Sequence, residues 1–253
     1  MMAKCPRQFY YRYVEGFKIK PNSAMKFGSA YHSVHESNFN EKISVGEFLS
    51  LESMLDLFKD RWTEDQKEVE WEGEPIPAGK LLDIGVMGIA EYYDRILPSK
   101  DPALAEYEFE IQLPEVARSF VGIIDYVGKD GTVTDHKTAS RKWPMDRVET
   151  EMQPSAYYLG MQYSPDKLPE AGKFKYEVIV KKNVPEIQVL ETTRTQQDLD
   201  DYVGRIRTAE RLIDAEIFPK TEPGNWYCSN KWCGYYPHCM QGMSLRNLPQ
   251  VIY

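Results

Sequence analysis

The sequence predicts an α/β core with a helical cap, and the order of its segments predicts this class. Helical periodicity dominates the first hundred residues, and strand-like stretches begin only after residue 100. A helix then separates the third strand from the fourth, and another follows the fifth. With 253 residues the chain is long enough for one large core that carries a helical elaboration.

The first hundred residues contain four predicted helices. A short aromatic helix covers residues 5–16 and ends at Gly16, and a second helix covers residues 25–39. Two longer helices follow at about residues 45–68 and 79–96, separated by a loop that holds two prolines.

The strands are predicted from stretches rich in β-branched and aromatic residues, at residues 104–113, 119–127, 132–138, 173–182 and 186–194. A helix at residues 150–163 separates the third strand from the fourth. A last helix runs from about residue 196 to 216, and the tail that follows has no clear period.

The second and third strands form a predicted hairpin with an acid on each strand. If Gly131 adopts the left-handed conformation in a three-residue loop, Gly128 pairs with Thr132 and Asp125 falls opposite Asp135. Like charges across a ladder are destabilising, and a divalent cation between the carboxylates removes the repulsion. Lys137 points to the same face because side chains alternate along a strand. A hairpin whose outer face is merely solvated fits the same spacing.

Two helices offer further polar side chains. His32 and Glu36 stand at i and i+4 on one helix face, so His32 is a candidate third ligand beside the aspartates, although a lone helical histidine is commonly a packing residue. Gln153 and Tyr157 share a face in the same way and either contact a substrate phosphate or pack over the sheet. Three glutamates alternate along the first strand, which predicts a solvated edge from which one could reach the metal: Glu106, Glu108 and Glu110.

All four cysteines lie near the chain ends: Cys5, Cys228, Cys233 and Cys239. Two disulfides would need an oxidising compartment, and no export leader is apparent. Four thiolates around one centre would close a very long loop and suit either structural zinc or a [4Fe-4S] cluster. Four unrelated thiols are the remaining alternative.

Charge and hydropathy limit the partners. The formal net charge of -8 argues mildly against a partner bound through its phosphates, but the first thirty residues carry six basic residues and one acidic one. No apolar run is long enough to span a membrane and no secretory leader is apparent, so we expect a soluble, unexported protein without a membrane partner.

Taken in order, these segments resemble a known family. The stretches CPRQFYYRYVEG, FGSAYHSVHE, GIIDYV, TDHKTA, QPSAY and CSNKWCGYYPHC are similar to motifs of the RecB-like branch of the PD-(D/E)XK nuclease superfamily. The iron–sulfur members are the most similar: AddB-type nuclease domains and the CRISPR-associated adaptation exonuclease, with their phage relatives. The resemblance runs from Cys5 to Cys239.

The resemblance implies a restriction-endonuclease-like mixed central sheet flanked by helices, in one domain over residues 1–253. Its helical part would be residues 1–100, its catalytic sheet core 101–217 and its cysteine-rich tail 218–253. It also implies roles for individual residues. The metal ligands would be His32, Asp125, Asp135 and the His136 backbone carbonyl, holding Mg²⁺ or Mn²⁺. Lys137 would orient or activate the attacking water, Gln153 and Tyr157 would contact DNA, and a [4Fe-4S] cluster on Cys5, Cys228, Cys233 and Cys239 would join the chain ends, with zinc as the less favoured metal.

The activity implied is a metal-dependent DNA exonuclease that acts on single-stranded DNA or free ends, in recombination, repair, phage or CRISPR-type processing. A helicase, recombination or CRISPR-type protein partner and a cytoplasmic location, in a prokaryotic cell or a phage-infected host, follow from the same resemblance. Two alternatives stay open: a non-catalytic DNA-binding or scaffold subunit, and a zinc-clipped interaction protein.

Overall fold

The computed structural model describes residue 2, residues 4–222 and 224–242, and the backbone of residues 251–252. The chain forms two compact units, one of residues 1–21 and 203–253 and one of residues 22–202. The single domain expected over residues 1–253 stays a prediction. No helix in the described ranges combines the length and the hydropathy that a membrane span needs.

The elements follow the chain in this order. The helices are α1 (Pro6–Phe9), α2 (Ser23–Val45), α3 (Leu51–Asp65), α4 (Ala78–Arg95), α5 (Met145–Thr150), α6 (Gln153–Tyr163), α7 (Gln196–Asp214) and α8 (Tyr236–Gln241), with a π-helical turn at Tyr10–Val14 and 3₁₀ turns at Gln66–Glu68 and Leu97–Ser99. The strands are β1 (Lys18–Ile19), β2 (Pro102–Ile111), β3 (Phe120–Gly128), β4 (Val133–Ala139), β5 (Phe174–Val180), β6 (Glu186–Thr192) and β7 (Val251–Ile252).

The unit of residues 22–202 is built on one mixed sheet in the order β2-β3-β4-β5-β6. Its neighbours are antiparallel except for β4 and β5, which run parallel. A parallel pair needs a crossover, and the segment that carries α5 and α6 supplies it. The five predicted strands are confirmed, and the mixed sheet flanked by helices is the architecture that the sequence predicts.

The core of this unit lies between the sheet and helices α2, α3 and α4. Its largest fully buried side chains include Trp62, Tyr31 and Tyr92. Gly85 of α4 permits a close approach to α3, because a Cβ atom at Gly85 would lie 2.0 Å from Cζ of Phe58. The absence of a side chain at this position is therefore a packing requirement.

One predicted helix boundary is wrong. The sequence places a helix over residues 45–68, whereas α2 continues to Val45 and α3 begins only at Leu51. Gly46 stops α2 in the left-handed conformation, and its N–H donates to the carbonyl of Lys42 at 3.1 Å. Ser50 starts α3 as an N-cap, with its hydroxyl accepting from the N–H of Ser53 at 3.1 Å.

The unit of residues 1–21 and 203–253 contains α1, β1, α8 and β7. Strands β1 and β7 form a two-residue antiparallel ladder that joins the two chain ends. The backbone N–H of Arg7 also donates to the carbonyl of Pro219 at 3.1 Å. All four cysteines belong to this unit.

Candidate active site

The hairpin of β3 and β4 has the predicted register. Tyr126 pairs with Thr134 and Val127 with Val133, and the N–H of Gly128 donates to the carbonyl of Thr132 at 2.8 Å. Gly131 has a φ of +79° in the turn, as the three-residue loop requires. Continued by one step, this register sets Asp125 opposite Asp135.

The ladder between β3 and β4 ends at these two aspartates. Instead of a further backbone pair, Oδ2 of Asp125 accepts the backbone N–H of His136 at 2.8 Å. The Asp125 carboxylate thus occupies the gap that opens between the strands, and its position is fixed by the neighbouring main chain. A carboxylate held by a backbone donor is pre-organised to bind a cation.

A histidine and a glutamate from other elements join Asp125. Nδ1 of His32, on α2, lies 3.2 Å from Oδ2 of Asp125. Glu106 falls opposite Asp125 in the β2–β3 register, between the pairs of Ala105 and Tyr107 with their partners. One ligand atom from each of His32, Glu106 and Asp125 lies within 4.8 Å of the other two. These three residues, the acid–histidine cluster, form a candidate metal centre.

Glu106 enters the cluster through an unusual backbone conformation. Its φ is +45°, whereas non-glycine residues seldom have a positive φ. Glu108 and Glu110 are exposed on the same strand, as expected for a solvated edge. Strained backbone at a convergence of acidic ligands is typical of functional sites.

Asp135 makes a second group of contacts. Its carboxylate is fully buried, accepts from Nε2 of Gln153 at 2.5 Å and from the hydroxyl of Tyr157 at 3.1 Å, and forms an ion pair with Lys137. Gln153 also donates to the Tyr157 hydroxyl at 2.7 Å. The predicted Gln and Tyr pair therefore orients Asp135, and its contact with DNA stays a prediction.

Burial and charge shift the pKa values of these groups. Burial lowers the pKa of His32 to about 4, so its imidazole is neutral and free to act as a ligand at neutral pH. Burial, together with the charges of Asp125 and Glu36, raises the pKa of Glu106 to about 7. Burial also raises the pKa of Asp135, while the ammonium of Lys137 opposes that shift.

Asp125 differs from the other two acids. Burial alone would raise its pKa, but the hydrogen bond from His136 and the charges of His32 and Lys137 outweigh burial and hold the pKa below its ordinary range. The cluster therefore contains one firmly ionised carboxylate, Asp125, beside Glu106, whose carboxyl group is protonated in part of the molecules near neutral pH. A bound cation would displace those protons, so the donor set fits a divalent metal ion.

A buried network lies behind the metal ligands. Nε2 of His136 lies 3.3 Å from Oε2 of Glu177, and its Nδ1 lies 3.7 Å from Oδ2 of Asp125. Glu177, on β5, also accepts from Lys100 at 2.5 Å and from the hydroxyl of Tyr92 at 3.0 Å. Burial would lower the pKa of His136, but its interactions with the carboxylates of Asp125 and Glu177 raise it to about 9. These buried residues support the position of the Asp125 carboxylate from the side that faces the protein interior.

The structure brings most of the sequence-predicted residues together. The contacts above bring six of them together beside β3 and β4, two interior strands of the sheet, and the His136 backbone hydrogen-bonds the His32 ring: His32, Asp125, Asp135, Lys137, Gln153 and Tyr157. Asp135 lies outside the group of three whose atoms fall within 4.8 Å of one another. Among the three candidate ligands that lie close together, Glu106 therefore stands where the sequence predicted Asp135.

An open cleft gives access to the cluster. Its volume is about 460 Å³, and besides His32 and Glu106 it is lined by three small residues and one acid of α2 and by one cation of α3: Gly28, Ser29, Ser33, Glu36 and Arg61. A cleft of this size admits a nucleotide-sized group.

The four cysteines line a separate cavity of about 210 Å³, all within the unit of residues 1–21 and 203–253. Burial raises the pKa of Cys233, and so do the charges of Cys5, Cys239 and Cys228. No three cysteine sulfurs in the described part of the chain lie within 4.8 Å of one another.

Acids and a histidine beside the interior strands of a mixed sheet, with a lysine next to a buried aspartate, form a candidate metal site. The profile of the family described as "PD-(D/E)XK nuclease superfamily" matches residues 1–240. The chain belongs to this superfamily, whose members hydrolyse phosphodiester bonds.

One solved structure agrees with the fold. A "Putative exonuclease" from Eubacterium rectale is 16% identical, with a TM-score of 0.53 over 90% of this chain and 80% of its own. The protein SSO0001 is 12% identical, with a TM-score of 0.38 over 84% of this chain and 96% of its own. A search of curated proteins found no match.

Proposed function

We propose that this protein is a divalent-metal-dependent DNA exonuclease. The observation that carries the proposal is the convergence of His32, Glu106 and Asp125 within 4.8 Å beside the ion pair of Asp135 and Lys137. A neutral imidazole and carboxylate oxygens are ligands that Mg²⁺ or Mn²⁺ accepts. The family membership supports the phosphodiester as the bond that is cleaved.

The residues of the site would have separate roles in catalysis. His32, Asp125 and Glu106 would hold the metal ion, with Asp135 and the His136 carbonyl as further ligands. Bound there, Mg²⁺ or Mn²⁺ would polarise a phosphodiester oxygen and lower the pKa of water. Lys137 would orient the attacking water and stabilise the charge that develops on the phosphate. Gln153 and Tyr157 would position Asp135.

End-labelled DNA tests the proposal. Single-stranded and duplex substrates, labelled at the 5′ or 3′ end, are incubated with Mg²⁺, Mn²⁺ or EDTA. We expect metal-dependent release of nucleotides from one end, lost in Glu106→Gln and retained in Glu108→Gln, its exposed neighbour on β2. Folded, metal-loaded protein that binds DNA without cutting it would instead support a DNA-binding or scaffold subunit.

We propose further that Cys5, Cys228, Cys233 and Cys239 hold a [4Fe-4S] cluster. The support is that all four line one cavity. Protein purified without oxygen should be brown and contain iron and sulfide in equal amounts. Colourless protein with one zinc per chain would contradict the cluster. Cys233→Ala should lose iron and thermal stability, and unchanged iron content would contradict its role as a ligand.

A further inference from the structure

Charge is divided unequally between the two compact units. Residues 1–21 and 203–253 carry 11 basic and 5 acidic residues, a net charge of +6. Residues 22–202 carry 20 basic and 34 acidic residues, a net charge of -14, which together give the -8 of the whole chain. A polyanion therefore meets a favourable field at the cysteine-bearing unit and a repulsive one at the other.

Two tryptophans of the positively charged unit, residues 1–21 and 203–253, are exposed to solvent. Trp226 is 66% exposed and Trp232 is 57% exposed, whereas Trp62 and Trp143 of the other unit are 1% and 8% exposed. A large indole ring is normally mostly buried, so two exposed rings in one loop indicate a contact surface. Their centroids lie 5.6 Å apart with the planes at 86°, so each ring presents a face of its own.

A cation accompanies the rings. Nζ of Lys231 lies 5.1 Å from the centroid of Trp232, within the range of a cation–π contact. Both tryptophans also line the cysteine-lined cavity described above, whose cations are Lys4, Arg7 and Lys220, and no Asp or Glu appears among its described lining residues. Exposed aromatic faces with interleaved cations are the combination that binds single-stranded nucleic acid, since bases stack on the rings and phosphates pair with the cations.

We propose that Trp226, Lys231 and Trp232, the tryptophan surface, form a second binding site for single-stranded DNA, separate from the acid–histidine cluster. The choice of DNA as ligand rests on the proposed function. Single strands are favoured over duplex because stacking on an indole needs an unpaired base. The net charge of +6 favours a phosphate backbone over an acidic or apolar protein segment as the occupant of these rings.

The test measures binding without cleavage. Fluorescence anisotropy of a labelled oligothymidylate is followed in EDTA with the full-length protein and its variants. We expect Trp226→Ala and Trp232→Ala each to weaken binding by about five- to a hundredfold, the loss of one stacked base. Trp226→Phe and Trp232→Phe keep a ring and should retain most of the affinity. Lys231→Gln should lower the salt dependence by about one released counterion, and Lys59→Gln on the acidic unit should not.

The outcomes separate this inference from the proposed function. Equal binding by the double alanine variant and the wild type overturns the tryptophan surface, even if the enzyme cleaves DNA. A duplex that competes as well as the single strand also overturns it. Tryptophan-dependent binding by a protein that never cleaves DNA supports the surface and contradicts only the nuclease. Because both rings are exposed, the alanine variants should unfold at the wild-type temperature, which thermal melting verifies.

Discussion

The carboxylate of Asp125 accepts the backbone N–H of His136 at 2.8 Å, at the position where the β3–β4 ladder ends. One side chain thus replaces a main-chain partner and places its oxygens beside His32. This arrangement separates two kinds of acid in the site. Asp125 is stabilised as an anion by the protein itself, whereas Asp135 and Glu106 have raised pKa values through burial.

Asp135→Asn should abolish activity without unfolding the protein. The amide can keep the contacts with Gln153 and Tyr157 but loses the charge that pairs with Lys137. We expect at least about a hundredfold loss of cleavage rate and an unfolding temperature that is unchanged or higher, since a buried ionisable acid is removed. The measurements are end-labelled digestion and thermal unfolding. Asp146→Asn, at an exposed position of α5, is the control. Full activity in Asp135→Asn would contradict the assignment of the site.

Glu106 should make metal affinity depend on pH. Its pKa is raised to about 7 in the metal-free protein, mainly through burial, so metal binding below pH 7 must displace a proton. Apparent Mn²⁺ affinity should therefore fall by about tenfold per pH unit below 7 and level off above it. Titration calorimetry at several pH values measures this. In Glu106→Gln the affinity should be weaker and this component of its pH dependence lost. Glu108→Gln should behave like the wild type, and a pH profile shared by all three proteins would exclude Glu106 as a ligand.

Lys100→Met should destabilise the protein and loosen the metal site. The ammonium is buried against Glu177, and its removal leaves that carboxylate with only His136 and Tyr92. Breaking one partner of a buried pair costs about 3–5 kcal/mol of unfolding free energy. Loss of second-sphere support costs about 10- to 100-fold in metal affinity.

The double variant Lys100→Met/Glu177→Gln provides the matching control for that pair. Because it leaves no uncompensated carboxylate, its loss of unfolding free energy should be smaller than the sum of the two single changes. Urea unfolding of the four proteins measures the coupling. Strictly additive losses would show that Lys100 and Glu177 act independently.

Gly85→Ala should destabilise the helical layer. The new methyl group would meet the Phe58 ring at 2.0 Å, and overpacking of this kind costs about 1–3 kcal/mol. The better helix propensity of alanine offsets up to about 1 kcal/mol. Gly79→Ala lies in the first turn of the same helix with no heavy atom within 4 Å of the added Cβ, so it should be neutral or stabilising. Chemical denaturation compares the two, and equal stabilities would contradict the packing role of Gly85.

Part of this site can be predicted from residues that are close together in the sequence. The turn of the hairpin is short, and its glycine at the left-handed position fixes the register, so the opposition of Asp125 and Asp135 follows from neighbouring residues. The helix break at Gly46 was also a local signal, but the helical pattern on both sides of it concealed the stop.

The remaining parts depend on distant residues. Glu106 resembles its exposed neighbours Glu108 and Glu110, and only the β2–β3 pairing together with a left-handed φ turns it toward His32. Glu177 interrupts an apolar strand, which signals a buried charge, but its partners Lys100 and His136 come from other elements. Sequence spacing does not specify which elements become neighbours in the sheet.

The parallel pairing of β4 with β5 also limits how early the candidate site can assemble during synthesis. Asp125 and Asp135 leave the ribosome first, but Gln153 and Tyr157 lie in the crossover and Glu177 lies on β5. A nascent chain that ends before residue 153 holds Asp125 and Asp135 without Gln153, Tyr157 and Glu177, and one that ends before residue 177 still lacks Glu177. Because parallel pairing across a long crossover is slow, this part of the site is completed late, after most of the chain has been translated.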